Sequence, residues 1–262
     1  GATVIAEAVK RAGITPASVD HVYMGCVIQA GMGQNVARQA ALKAGLPFTT
    51  TAETLNIVCG SGLDSVNSAA RMIRNGDADI VVAGGMENMS MAPFALMKAR
   101  YGYRMGSPMG KSDLVDTMVN DALWDASNNY HMGITAENVA KQWNLTREEL
   151  DAFATASQQK ACAAMEADAF DDEIVPVIIK NRKGEMVVSK DEGPRQNTTV
   201  EGLSKLRPAF AKDGIVTAGN SSTINDGAAA VVLVSEDKVK ELNLKPMAVW
   251  IGGAIGGVDP AI

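Results

Sequence analysis

Cys59 occupies a setting that favours thiol chemistry. It follows the apolar residues 55–58 and precedes Gly60, Ser61 and Gly62. A thiolate is a nucleophile, and a helix N-terminus favours it because free N–H groups and the helix dipole attract negative charge. The glycines leave room for a substrate carbonyl, and their backbone N–H groups can face an oxyanion. These residues are compatible with a cysteine nucleophile for acyl transfer, but for one cysteine alone the favoured interpretation is a buried structural residue at a tight strand–helix turn.

The residues around Cys59 predict a βαβ unit. The apolar run before it predicts a strand, and apolar residues recur after it at helical spacing: Leu63, Val66, Ala70 and Ile73. Gly76 suits the left-handed position that follows a helix, and residues 80–83 form a short β-rich run. A strand, a helix and a second strand imply a parallel sheet. We therefore expect Cys59 at the end of a strand and the start of a helix.

Similar patterns predict the other elements. We expect helices at residues 1–11, 38–44, 136–143, 146–167 and 235–243, and strands at residues 22–30, 173–180, 185–189 and 228–234. Thr135 is the expected cap of the third helix, and Thr146 with Glu149 forms a capping box for the fourth. We expect the strand at 228–234 to be buried. His21 is interpreted as a structural or surface residue and Cys162 as a packing residue.

Composition excludes several functional classes. The 262 residues are 47% hydrophobic, and the net charge of −6 is spread without the basic cluster of a nucleic-acid-binding protein. No apolar run approaches the roughly 18 residues of a membrane span. Three widely spaced cysteines and two histidines indicate neither a disulfide framework nor a metal site. We expect a cytoplasmic protein with no metal, no permanently bound cofactor, and no nucleic-acid or membrane partner.

Several strings of residues resemble, in order, the motifs of the thiolase family. Residues 55–63, Leu-Asn-Ile-Val-Cys-Gly-Ser-Gly-Leu, are similar to the family's acyl-enzyme cysteine signature. The other strings are Gly-Met-Gly-Gln-Asn-Val-Ala-Arg-Gln-Ala at residues 31–40, Gly-Gly-Met-Glu-Asn-Met-Ser at 84–90, Tyr-His-Met-Gly-Ile-Thr-Ala-Glu-Asn at 130–138, Lys-Leu-Arg-Pro-Ala-Phe at 205–210, Thr-Ala-Gly-Asn-Ser-Ser at 217–222 and Asn-Asp-Gly-Ala-Ala at 225–229. By these motifs the chain is identified as a member of the family.

The resemblance implies an α/β fold, a thiolase-like layered αβα arrangement with a mixed, largely parallel sheet and an inserted α+β loop domain. The implied domains are an N-terminal thiolase domain at residues 1–85, an inserted loop domain that binds coenzyme A at 86–212, a return to the first domain at 213–250, and the start of a linker at 251–262. Residues 99–111 resemble a tetramerisation loop. The resemblance also implies a core strand before residue 1 and a second thiolase domain after residue 262, with that C-terminal half absent from this chain.

The resemblance also assigns site residues. Cys59 would hold the acyl group as a thioester. The residues expected to contact coenzyme A are Leu123, His131, Met132, Arg195, Ala209, Phe210, Ala218, Ser222 and Ile224. The charge of Arg195 suits the nucleotide end, and Phe210 and Ser222 suit the pantetheine, whereas Gly202 replaces a serine that usually contacts the nucleotide. A solvated turn for Arg195, ordinary packing for Phe210 and turn formation for Ser222 are the alternatives.

The implied reaction is the reversible Claisen condensation of two acetyl-CoA to acetoacetyl-CoA and coenzyme A through acetyl-Cys59. The string His-Met-Gly at residues 131–133 resembles that of thiolases acting on short acyl chains. The family's base, a Gly-His-Pro histidine, and its second cysteine have no counterpart in this sequence, and we do not expect His131 to replace the base. The chain alone is therefore expected to be inactive. Its expected partners are a small-molecule acyl-CoA substrate and further copies of itself, as a dimer or tetramer.

The sequence admits four alternatives to this reaction. A broader-chain 3-ketoacyl-CoA thiolase and a catalytically incomplete fragment that binds coenzyme A both remain open. A ketoacyl synthase fits less well, because its cysteine usually lies in a more Thr- and Ala-rich setting and it lacks a Met-rich inserted domain. A dinucleotide-binding domain would need a Gly-x-Gly-x-x-Gly turn that opens a helix after a strand, and the glycine-rich residues 252–257 lead into Asp-Pro instead.

Overall fold

The structure is a computed structural model that describes residues 1–103, 113–182 and 184–262. The α-helices are α1 (Ala2–Arg11), α2 (Val36–Lys43), α3 (Ser61–Arg74), α4 (Met132–Gln142), α5 (Arg147–Glu166), α6 (Val200–Ser204) and α7 (Glu236–Glu241). The strands are β1 (His21–Gly25), β2 (Thr51–Leu55), β3 (Ile80–Asn88), β4 (Phe94–Ala95), β5 (Val115–Asp116), β6 (Trp124–Asp125), β7 (Tyr130–His131), β8 (Val177–Asn181), β9 (Gly184–Val188) and β10 (Asp226–Val234). A π-helical segment covers Val119–Leu123.

The described residues pack as two units. The first comprises those of residues 1–122 and 225–256, and the second comprises those of residues 123–224 and 257–262. Residues 86–103 and 113–122 therefore pack with the first unit, whereas the resemblance implied that they belong to the inserted domain. The domain boundaries themselves stay a prediction.

A four-stranded sheet organises the first unit, with strand order β10-β3-β1-β2. β1 runs parallel to β2 and β3, and β10 runs antiparallel to β3. The mixed, largely parallel sheet is thus confirmed. β10 lies at an edge, and most of its residues are exposed, so the expectation of a buried strand at 228–234 is wrong. One face of β10, bearing Ala230, Val232 and Val234, packs on the core. On the other face Leu233 packs against the cluster beside α3, but Val231 is 49% exposed, so the edge strand is only partly covered.

Helices cover both faces of this sheet. Successive side chains of a strand point to opposite faces. Ile80 and Val82 accordingly belong to the core cluster under α1 and α2, whereas Val81 and Ala83 pack with Ala69 of α3. The first unit is therefore a helix–sheet–helix sandwich, and α3 alone of these three helices supports the opposite face.

Backbone details explain where elements of the first unit end. Gly76 has a φ of 78°, which confirms its left-handed position after α3. α2 begins at residue 36, two residues earlier than predicted, because the side chain of Asn35 accepts the N–H of Arg38 at 3.1 Å. The strand predicted at 22–30 ends at Gly25. The N–H of Cys26 still donates to Leu55 of β2 at 3.0 Å, but the next two N–H groups bond to a side chain, as described below.

The second unit contains α4, α5, α6 and two small antiparallel pairs, β6–β7 and β8–β9. The capping box of α5 is confirmed: Thr146 Oγ1 accepts the N–H of Glu149 at 3.2 Å, and the Glu149 carboxylate accepts the N–H of Thr146 at 2.7 Å. The expected cap of α4 is wrong. α4 begins at residue 132 and its cap is His131, not Thr135.

The β8–β9 hairpin is shorter than predicted and stands apart from the rest of its unit. All of its described residues are exposed, including Ile178 and Val187, which pair with each other. The predicted turn between the strands includes residue 183, which lies outside the described residues. Among the residues described, no helix is both long enough and apolar enough to cross a membrane.

Candidate active site

Cys59 lies in the connection between β2 and α3. β2 ends at Leu55 and α3 begins at Ser61, so Cys59 follows the strand by a short loop and precedes the helix. The expectation that Cys59 directly ends the strand is therefore wrong, although its place just before a helix is confirmed. Its thiol is free and exposed. This exposure overturns the alternative of a buried structural cysteine.

The loop that holds Cys59 has a constrained backbone. Val58 has a φ of 55°, which is uncommon for a β-branched residue and costs on the order of 1–3 kcal/mol. The Asn56 side chain accepts the N–H of Val58 at 2.9 Å. On the other side, Ser61 Oγ accepts the N–H of Ile57 at 3.0 Å and donates to the Val58 carbonyl at 2.5 Å. These bonds fix the backbone on both sides of Cys59.

The start of α3 lies directly against the ends of β1 and β3. A Cβ atom on Gly25 would lie 2.6 Å from Cβ of Ser61, so a side chain at that position would displace the helix. Ser65 of α3 contacts β3 in turn, with its Oγ 2.8 Å from the carbonyl oxygen of Gly84. The loop around Cys59 is therefore placed at the carboxyl edge of the parallel strands, where functional residues commonly lie in α/β proteins.

Glu87 is a residue to which sequence reasoning gave no role, although it stands in the Gly-Gly-Met-Glu string. Its carboxylate accepts the N–H groups of Val27 and Ile28 at 2.9 and 3.1 Å and lies 3.6 Å from the Cys26 thiol. Burial and the Glu87 charge raise the pKa of Cys26 to about 12. Cys26 is therefore a protonated thiol at neutral pH, which distinguishes it from a nucleophile.

His21 is not placed to serve Cys59. It opens β1, where its Nδ1 lies 2.6 Å from Thr51 Oγ1. Burial lowers the pKa of His21, and its ring is only 7% exposed. Gly25 at the other end of β1 contacts the start of α3, so His21 lies at the amino edge of the sheet. Its structural role is confirmed, and the surface alternative is wrong.

All nine residues predicted to contact coenzyme A lie in the second unit. Two of them are in direct contact: the rings of His131 and Phe210 stack with centroids 4.8 Å apart. His131 Nδ1 also accepts the N–H of Gly133 at 3.0 Å. A Cβ atom on Gly133 would overlap the Phe210 ring, so a glycine is required there. Met132, which lies between His131 and Gly133 in sequence, is 37% exposed.

Two paired segments carry three more of the predicted residues. The N–H of Ala209 donates to the Val216 carbonyl at 2.9 Å, next to a bridge between Pro208 and Thr217. Ala218 follows Thr217 directly, so Ala209 and Ala218 lie on neighbouring segments. Ser222 lies in the loop that follows Thr217 and leads to β10. Ala209, Ala218 and Ser222 are all exposed, as a ligand-contacting surface requires.

The other predicted residues lie on separate segments of the unit. Leu123 ends the π-helical segment and is half-buried, Ile224 is 57% exposed, and Arg195 is exposed. The N–H of Arg195 donates to the Gln158 side chain at 2.8 Å. Contact of these nine residues with coenzyme A stays a prediction. Within the described ranges, no group of three or more His, Cys, Asp or Glu side chains is placed to hold a metal ion.

Comparison with known sequences decides the family. Residues 1–237 match the thiolase N-terminal domain. The chain belongs to the thiolase family. Over its whole length this thiolase chain is 56% identical to an acetyl-CoA acetyltransferase of Syntrophomonas wolfei and 56% identical to one of Pseudomonas aeruginosa. It spans 65% and 66% of the lengths of these two relatives.

Solved thiolase structures share the fold. The crystal structure of the Bacillus anthracis acetyl-CoA acetyltransferase matches the thiolase chain with a TM-score of 0.89 at 47% identity. The match covers 94% of the present chain and 61% of that one. The thiolase-like layered fold expected from the motifs is therefore confirmed.

Proposed function

We propose that the chain is the part of an acyltransferase that carries the acyl group on Cys59 and binds coenzyme A through the second unit. The observation that supports this most directly is the exposed Cys59 thiol, held in a constrained loop immediately before α3. A helix N-terminus stabilises a thiolate, and nucleophilic acyl transfer by a cysteine starts from the thiolate. The names of the relatives agree with this chemistry.

The proposed reaction is the reversible condensation of two acetyl-CoA. The Cys59 thiolate attacks the thioester carbonyl of the first acetyl-CoA, and the C–S bond to coenzyme A breaks to release its thiolate. A base then removes a methyl proton from the second acetyl-CoA, and the resulting carbanion attacks acetyl-Cys59. The new C–C bond gives acetoacetyl-CoA and returns the Cys59 thiolate. Neither histidine of the sequence is proposed as the base.

A short acyl chain is the proposed specificity. The support is the string of His131, Met132 and Gly133, in which Gly133 lies against the Phe210 ring and leaves no room for a larger residue. A broader-chain 3-ketoacyl-CoA thiolase is the alternative. Coenzyme A release from 3-ketoacyl-CoA substrates of increasing length, measured on an active form of the protein, distinguishes the two.

Acetylation of the chain tests the nucleophile. After incubation with acetyl-CoA, peptide mass spectrometry should find one acetyl group on Cys59, with release of an equal amount of coenzyme A. Cys59→Ala should abolish this product, and Cys162→Ala should leave it unchanged. Acetylation of Cys162, or equal acetylation of Cys59→Ala, would overturn the assignment.

Coenzyme A binding without turnover is the second candidate. One observation favours it: neither histidine of the given sequence stands in a Gly-His-Pro string. A missing general base costs roughly 10²–10⁴-fold in rate. Under this proposal calorimetry detects coenzyme A binding while thiolysis of acetoacetyl-CoA by the same sample is absent. Measurable thiolysis would reject this candidate and return the first.

We also propose self-association, as a dimer or tetramer, and a cytoplasmic location. Large apolar side chains are exposed on the first unit: Met91 (74%), Phe94 (62%), Met97 (65%), Tyr101 (85%) and Leu114 (64%). Residues 104–111 of the predicted tetramerisation loop lie outside the described residues. The three free thiols fit a reducing compartment. Sedimentation equilibrium of the chain, compared with a Met97→Glu, Tyr101→Glu variant, tests the association.

A further inference from the structure

The buried face of α5 is polar. Asp151 is 1% exposed and Thr155 is 6% exposed, and Arg147 and Gln158 lie on the same side of the helix. A helix of a globular protein ordinarily buries an apolar stripe. Buried polar side chains need hydrogen-bond partners, so the partners of this stripe indicate what it holds.

Asp151 holds the loop that carries Ala218 and Ser222. One carboxylate oxygen of Asp151 accepts the Arg147 Nε–H at 2.8 Å. The other accepts the Asn220 side-chain N–H at 2.9 Å, and Asn220 Oδ1 accepts the N–H of Thr217 at 2.7 Å. Asn220 therefore connects the buried ion pair to the backbone directly beside Ala218.

Arg147 holds the opposite segment. Its guanidinium donates to the carbonyls of Leu203 and Leu206 at 2.6 and 3.0 Å. These carbonyls lie at the end of α6, shortly before Ala209 and Phe210. One buried ion pair thus anchors both segments that carry these predicted ligand residues.

Gln158 holds Arg195. Gln158 lies seven residues after Asp151 in α5. This spacing corresponds to about two helical turns, or about 10 Å along the helix axis. Its side-chain oxygen accepts the N–H of Arg195 at 2.8 Å. The Arg195 carbonyl accepts the hydroxyl of Thr198 at 2.9 Å, so the backbone is fixed on both sides of Arg195.

We propose that Asp151 and Gln158 are positioning residues of the coenzyme A site, which set the separation between a pantetheine-facing loop and a nucleotide-facing arginine. This inference rests on the proposed function and adds to it, since neither residue is among those expected to contact coenzyme A. The rigid helix carries the two anchors at fixed spacing. The loop with Ser222 and the turn with Arg195 therefore present their contacts without reorganising on binding.

Two variants and two ligands test the spacing role. Asn220→Ala cuts the connection to Asp151, and Gln158→Ala cuts the connection to Arg195. Gln159→Ala is the matched control, because Gln159 is the exposed neighbour of Gln158 on the same helix. Calorimetry of the full chain uses coenzyme A and its nucleotide part, 3′-phospho-ADP. Losing the side-chain hydrogen bonds of either Asn220 or Gln158 is expected to weaken binding about tenfold.

The expected pattern differs between the variants. Asn220→Ala should weaken coenzyme A binding and leave 3′-phospho-ADP binding unchanged, whereas Gln158→Ala should weaken both ligands equally. Gln159→Ala should match the wild type. Equal losses of both ligands in Asn220→Ala would mean general loosening of the unit and would overturn the proposal.

Amide hydrogen exchange without ligand separates this proposal from the proposed function. The amides of Thr217, Gly219 and Asn220 should exchange faster in Asn220→Ala and in Asp151→Asn, while those of β3 stay unchanged. Unchanged exchange at Thr217 would overturn the positioning role. A wild-type chain that binds neither ligand would overturn the proposed function, and with it the ligand named here, whatever the exchange shows.

Discussion

The imidazole ring of His131 stacks on the phenyl ring of Phe210, with ring planes tilted by only 18°. Because Nδ1 of His131 accepts the N–H of Gly133, the neutral imidazole carries its proton on Nε2. The Phe210 ring also covers Gly133. The imidazole, the phenyl ring and the first turn of α4 therefore form one packed group, and a change in any of them affects the others.

Gly133→Ala is expected to destabilise this packed group. The added methyl group overlaps the Phe210 ring, and overpacking of this kind costs about 1–3 kcal/mol of unfolding free energy. Thermal unfolding measures the loss, and coenzyme A titration should show weaker binding. Gly227→Ala is the control, because a Cβ atom there meets open space. Adding Phe210→Leu should restore part of the stability, and failure to do so would contradict the steric explanation.

Val58→Gly is expected to leave stability unchanged or to raise it. The positive φ of Val58 costs about 1–2 kcal/mol with a side chain, which offsets the entropic cost of glycine, about 0.5–1 kcal/mol. Ile57→Gly is the matched control, since Ile57 is 42% exposed and Val58 is 46% exposed. Ile57→Gly should lower the unfolding midpoint. An equal loss in both variants would show that Val58 stores no strain.

Cys59 is expected to react first with brief, substoichiometric iodoacetamide. Its thiol is exposed, Cys162 is half-buried, and Cys26 is buried with a raised pKa. Peptide mass spectrometry after quenching gives the order of labelling. Removal of Cys59 by Cys59→Ser should leave Cys162 as the first labelled residue. Labelling of Cys26 before Cys59 in the folded chain would contradict the placement.

Cys26 is expected to make stability fall at alkaline pH. In the folded chain the Cys26 thiol, with its pKa raised to about 12, keeps its proton up to about pH 12, whereas an ordinary thiol loses its proton near pH 9.0. Between these values the unfolded state binds fewer protons, so the free energy of unfolding falls as pH rises. Unfolding midpoints at about pH 8 and about pH 10 should diverge more for the wild type than for Cys26→Ala. Cys162→Ala should follow the wild type, and parallel behaviour of the wild type and Cys26→Ala would refute the effect.

Sequence patterns predicted the elements whose signals are local. The capping box at Thr146 and Glu149 and the left-handed position of Gly76 depend on a few neighbouring residues, and both are confirmed. The family motifs predicted the thiolase fold, which the matched relatives confirm. Periodicity also predicted the α3 helix, although Leu63, one of the residues used, is 73% exposed. The buried residues of the helix are Ser61, Asp64, Ser65, Asn67, Ala69 and Ala70.

The features that sequence patterns missed depend on distant partners. Thr135 is a residue type that commonly caps helices, yet His131 caps α4. The β6–β7 pair places the His131 imidazole at the start of the helix. The end of β1 depends on Glu87, which is remote in sequence and withdraws two N–H groups from the sheet. The helix α5 is only weakly amphipathic, so no local sequence pattern predicts that Asp151 is buried.

The pairing of β10 with β3 has a consequence for the order of folding during synthesis. Ile80 pairs with Val234, and residues 123–224 of the second unit lie between these strands in sequence. At translation rates of about 5–20 residues per second, the ribosome needs roughly 5–20 seconds to make residues 123–224. During that time one edge of β3 has no strand to pair with, although by its end most residues of the second unit have been synthesised. A released chain that ends at Ile224 therefore exposes one edge of β3, and a chaperone that shields strand edges should bind it better than a released chain that ends at Ser235.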